Sequence, residues 1–97
     1  MLRHSVLFKW KPEATDEEKQ QIATELAKLP SVVPSLRAFV FGSDAGLAKT
    51  NFDFAVSADF DDEAGFVAYR DDPAHRAVVD RYITPILMQR VAVQFEF

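Results

Sequence analysis

The order in which strand-like and helix-like stretches follow one another limits this chain more than any other feature. His4, Val6, Phe8 and Trp10 alternate with Arg3, Ser5, Leu7 and Lys9, the two-residue period of a half-buried strand. Pro12 ends it. Thr15 is a capping residue with Glu18 three positions on, and Ile22, Ala23, Leu26 and Leu29 then recur at helical spacing. A helix is predicted over residues 16–29, its acidic first turn and Lys28 in its last turn both suiting the helix dipole, before Pro30 and Pro34 forbid continuation. A second strand is expected at 36–41, closed by Gly42, then a polar loop over 43–49 that turns at Gly46. The third strand, 52–60, is the most regular, with Phe52, Phe54, Val56, Ala58 and Phe60 on one parity. Asp61 or Asp62 can cap a short helix carrying Phe66, Tyr69 and Arg70. Asp71-Asp72 interrupts that helix, and Asp72-Pro73 restarts it with a capping residue followed by proline at the first helical position. Val78, Val79, Tyr82 and Ile86 stripe this longer piece, which Pro85 should kink, and residues 90–97 alternate as a last strand.

The order β, α, β, β, α, β is the α+β, ferredoxin-like pattern: an antiparallel four-stranded sheet with helices on one face. The other face is expected to carry Leu7, Phe39 and Phe41 beside Ala55, Ser57, Ala92 and Gln94, too apolar to stay wet, so a second copy of the chain is its expected cover. At 97 residues one domain, 1–97, is expected, and 48% hydrophobic residues with nine Phe suffice for a packed interior. The longest apolar runs are four residues, far short of the roughly 20 a membrane-spanning helix needs. A net charge of −4 disfavours adhesion to nucleic acid or anionic lipid, and the absence of cysteine excludes disulfides, thiolate metal sites and cysteine nucleophiles. Only three apolar residues separate Ser5 from Lys9, too few for a signal-peptide core, so a cytoplasmic protein is expected. Two histidines are too few for a multi-histidine metal site.

Several segments resemble the stress-responsive dimeric α+β barrel (Dabb) domain family: Arg3 to Lys11, Val33 to Leu36, Phe52 to Ala55, Tyr69 with Asp72-Pro73-Ala74-His75, and Val91 to Phe97. The resemblance implies a homodimer whose two sheets close a barrel, and a small pocket between sheet and helices in each subunit. It implies little about activity, since most members have none assigned. Plant polyketide cyclases of the family close a ring by intramolecular aldol condensation. Their catalytic histidine and tyrosine would fall on His75 and Tyr69, and their strand-one histidine on His4, with Asp72 replacing a histidine. Relatives also suggest an optional structural cation at the carbonyls of Pro30, Val33 and Leu36, and cofactor-free monooxygenation as a minor possibility. No cofactor is otherwise expected, and the Asp-rich runs read as solvated helix caps.

The chemistry of these residues fits an acid–base site for a small apolar or aromatic ligand. His75 lies in the first turn of its helix, where the positive dipole end disfavours imidazolium and leaves a base, although Asp72 acts the other way. Tyr69 offers a hydroxyl to polarise a carbonyl, and His4 shares the parity of Val6 and Phe8. Plain structural roles stand beside these: His75 closing a helix start, His4 bonding backbone or water, Tyr69 as core with its hydroxyl at the edge. A stable dimer whose cavity is plugged by Phe8, Trp10 or Phe66 is the non-enzyme alternative. RNA binding is the remote one, since Lys49 to Val56 faintly echoes an RNA-recognition strand but lacks the glycine after its basic residue.

Overall fold

A computed structural model describes residues 1–97. Its elements are β1 (Leu2–Trp10), α1 (Asp16–Leu26), β2 (Ala38–Ser43), β3 (Phe54–Phe60), α2 (Glu63–Asp71), α3 (Pro73–Val78) and β4 (Leu87–Glu96). The sheet runs β2-β3-β1-β4, each neighbouring pair antiparallel, which is the ferredoxin-like arrangement. No helix is long and apolar enough to cross a membrane.

Local chemistry explains most boundaries. Thr15 and Glu18 form the expected capping box, each side chain taking the other's backbone N–H. The helix stops three residues early, at Leu26, and Leu29–Ser31 form a separate 3-10 turn around Pro30. Lys28 therefore lies beyond the last turn and pairs with Glu25 at 3.1 Å. β3 begins at Phe54 because the Asp53 carboxylate takes the Trp10 N–H (2.8 Å), where the β1–β4 register also shifts. Gly42 is inside β2, which starts at Ala38, and Gly46 makes the loop turn at φ +76°. Asp62 caps α2 through the Gly65 N–H.

After α3 the backbone does not run on as a kinked α-helix. It widens into a π-helical turn, Val79–Ile83, then tightens into a 3-10 turn, Thr84–Ile86, with Pro85 near its start. Proline there gives up an N–H that the turn does not use. β4 begins at Leu87, earlier than expected.

The core lies between the sheet and the helices: Val6, Phe8, Phe54, Val56, Ala58 and Phe60 from the strands against Ile22, Leu26, Tyr69, Val78 and Ile83. Phe54, Val56, Ala58 and Phe60 are thus buried, while Phe52 lies before β3 and is half-buried, so the strand itself leaves no aromatic for stacking nucleic-acid bases.

The open face differs from expectation at four positions. Phe39 and Phe41 pair with Ala58 and Val56 and turn inward, Phe39 against Tyr69 and Phe41 against Phe54. Ala92 and Gln94 pair with Val6 and His4 and also lie on the helix side. Their neighbours take the outer face: Val40 is 68% exposed and Val93 57%, beside Leu7, Val91 and Phe95. The exposed surface is more apolar than the sequence parity suggested.

Candidate functional site

The break between α2 and α3 builds the site. A residue before proline is driven out of the helical region, and Asp72 sits at φ −62°, ψ 130°. It ends α2 by sending its N–H to the Tyr69 carbonyl (3.2 Å) and caps α3 by accepting from the Ala74 N–H (2.8 Å). The chain turns sharply enough to bring Tyr69 and His75, six residues apart, ring to ring at 4.1 Å.

A helix end leaves its last carbonyls without partners. The Arg70 carbonyl is such a group, and Nδ1 of His75 lies 3.2 Å from it. A carbonyl only accepts, so Nδ1 carries the hydrogen and Nε2 of the neutral ring keeps a bare lone pair. Burial lowers the His75 pKa below 6.5, assisted by the charges of Arg76 and Arg90 and opposed by the Arg70 carbonyl and Asp72. Desolvation is the principal cause, not the dipole of a helix that is only six residues long.

His4, on β1, faces the same region with its ring 6.4 Å from that of Tyr69 and 5.0 Å from that of Phe66. It is buried, and desolvation with the charge of Arg90 brings its pKa down to about 4. Gln94 of β4 donates to its Nδ1 at 2.8 Å, which places the ring hydrogen on Nε2 as a donor. Tyr69 is 3% exposed, and burial pushes its phenol up to about 12. At neutral pH the three groups are uncharged: one acceptor, the His75 Nε2, and two donors, the Tyr69 hydroxyl and the His4 Nε2–H.

All three line one cavity of about 380 Å³ between sheet and helices. Phe8 and Phe66 form parts of its wall and leave the space open; Trp10 lies outside it, stacked on Phe8 at 5.4 Å. Apolar side chains, among them Val6, Leu26, Val56 and Ile83, make up most of the lining. Two other depressions, of about 490 and 440 Å³, lie around Leu7, Gly42 and Ala55. Their one charged residue, Asp44, is already bonded to Gly46 and Asn51.

No group of three or more His, Asp or Glu side chains gathers to hold a metal. Of the carbonyls considered for a structural cation, that of Val33 accepts the Leu36 N–H at 3.3 Å. Sequence periodicity missed Arg90 and Gln94 as site residues. The signal was the antiparallel pairing of β1 with β4, which sets Arg90 opposite Phe8 and Gln94 opposite His4.

The family model described as Stress responsive A/B Barrel Domain matches residues 2–97. No curated protein matches the chain. A dimeric ferredoxin-like protein of unknown function from Thermobifida fusca YX superposes with a TM-score of 0.92 at 49% identity, over 99% of this chain and 90% of that one. A dimeric ferredoxin-like protein of unknown function from Bacteroides fragilis NCTC 9343 gives 0.85 at 23% identity, over 99% and 95%. A hydroxynitrile lyase from Passiflora edulis gives 0.83 at 19% identity, over 97% and 90%.

Proposed function

We propose, from the premise that the chain belongs to the stress responsive A/B barrel domain family, that it is a homodimer with a small-molecule site in each subunit. The site takes an apolar or aromatic carbonyl compound and moves a proton at the carbon beside the carbonyl. One observation carries the reading: a single apolar cavity joins a lone-pair acceptor, His75 Nε2, to two neutral donors on Tyr69 and His4.

In this chemistry the ligand carbonyl accepts from Tyr69 and His4 while Nε2 of His75 takes the proton from the adjacent carbon. The resulting enolate oxygen is held by the same donors, in an environment where such bonds are stronger than in water. Where the ligand carries a second carbonyl within reach, the enolate carbon attacks it and a carbon–carbon bond forms. The new alkoxide then takes back the proton from Nε2, which completes an aldol ring closure without a cofactor.

The homodimer rests on the apolar open face of the sheet and on the dimeric relatives of the same fold. An exposed apolar face of this kind suits two-fold pairing, in which the same patch packs on itself. Deuterium exchange at the α-carbon of a small aryl ketone, followed by NMR in D₂O, tests the proton transfer. Wild-type protein should accelerate exchange and His75→Ala should slow it by about a hundredfold or more. Exchange no faster than in buffer overturns the reading.

A further inference from the structure

Three arginines, Arg70, Arg76 and Arg90, line the cavity, and no Asp or Glu does. This is unusual surroundings in a chain with fifteen acidic residues against eleven basic ones. Two of the three are already matched: Arg70 holds Asp71 through two bonds of 2.9 and 3.1 Å, and Arg76 holds Asp80 at 3.0 Å. Arg90 is different. It appears in none of the ion pairs of the chain, all five of which use other cations.

Its position follows from the sheet. Arg90 pairs with Phe8 on β1, two positions along the strand from Ala92 and four from Gln94, and these residues share the helix side of β4. Arg90 therefore stands at the cavity's border and is exposed to solvent, with Tyr69, His75 and His4 lining the same enclosure. Its charge is felt by all three, lowering the proton affinity of each.

We infer that Arg90 selects the charge of the ligand, so that the cavity takes a small apolar or aromatic carboxylate with its anionic group on Arg90. A guanidinium presents a planar fork matched to the two oxygens of a carboxylate. Placed at the mouth, it lets the anionic group stay partly hydrated while the apolar body enters. The inference rests on the reading of the cavity as a ligand site and adds a substrate class to it: keto carboxylates in preference to neutral ketones.

The test titrates phenylacetate and its uncharged isostere phenylacetamide into the full chain, following the ring signals of Tyr69 and His75 by NMR. Wild-type protein should bind the carboxylate about tenfold more tightly than the amide. Arg90→Met should bring the two affinities together, Arg90→Lys should keep part of the preference, and added salt should weaken only the carboxylate. If Arg90→Met does not fold, Arg90→Gln and the salt titration of the wild type carry the same reading. Equal affinities in the wild type, or a preference that survives loss of Arg90, overturn the inference while leaving the ligand site in place, because the amide still moves the two rings. If neither probe moves them at millimolar concentration, the ligand site fails and the inference with it.

Discussion

A neutral imidazole offers one lone pair, and the nitrogen that carries it is set by whatever the other nitrogen touches. At His75 that partner is the Arg70 carbonyl, which leaves the lone pair on Nε2. Tyr69 contributes differently. It is packed by the rings of Phe39, Phe60 and His75, while its hydroxyl makes no hydrogen bond within the chain. Tyr69→Phe should then leave thermal stability within about 0.5 kcal/mol of the wild type. The same variant should slow α-proton exchange by about a hundredfold, the cost of removing one donor to a developing oxyanion. A large drop in melting temperature would show instead that the hydroxyl is structural.

His4 ties stability to pH. Its pKa of about 4 in the fold, against 6.5 ordinarily, means that the unfolded chain binds more protons between those values. The neutral ring's contribution is complete above pH 6.5 and is lost as pH falls toward 4. At about 1.4 kcal/mol per tenfold change in proton affinity, that loss reaches up to about 3 kcal/mol. Asp59 and Asp71, held below 3.8 by Arg3 and Arg70, titrate at lower pH and leave this window to the histidines. Urea unfolding across the window should show stability rising with pH, and His4→Phe should flatten most of that slope. An unchanged slope would place the titrating group elsewhere.

Among the elements, the α2–α3 break decides the site, and it was legible because Asp-Asp-Pro is a stop followed by a start. The capping of α1 and the sheet order were legible for similar local reasons. The parity of β2 was not. Ala38, Phe39, Val40 and Phe41 are all apolar, so neither face is marked by polarity, and the strand's register against Ala58 and Val56 decides which side is buried. In β4 apolarity misleads outright, because Val91, Val93 and Phe95 face away from the helices. Gln94 and Arg90 were missed as site residues for the same reason, since the parity that turned Val91, Val93 and Phe95 toward the helices set Gln94 on the open face of the sheet. The π-helical turn after α3 left no pattern, because its apolar stripe is also that of an ordinary helix. Asp72→Ala should cost about 1 kcal/mol through the lost cap and slow exchange more than a surface cap such as Thr15→Ala does. Equal effects of the two caps on exchange would separate the break from the chemistry.

For the molecule as a whole, the apolar outer face is the feature on which the proposed homodimer rests. Leu7, Val40, Val91, Val93 and Phe95 leave more oily surface uncovered than scattered exposed side chains would. In the proposed dimer, two-fold packing of this face on itself would keep both cavities, which lie on the opposite side of each sheet, free to open outward. Val93→Asp should therefore convert a dimer to a monomer by light scattering, since the packed face would bury one unpaired charge from each copy. A variant that remains dimeric would move the interface to another surface.

Whether His75 acts as a neutral base in a ligand cavity is read from the pH profile of α-proton exchange for the wild type. The rate should climb through an apparent pKa below 6.5, level off through neutral pH and disappear with His75→Ala. A rate that simply follows hydroxide with no plateau, or that survives the loss of His75, would contradict it.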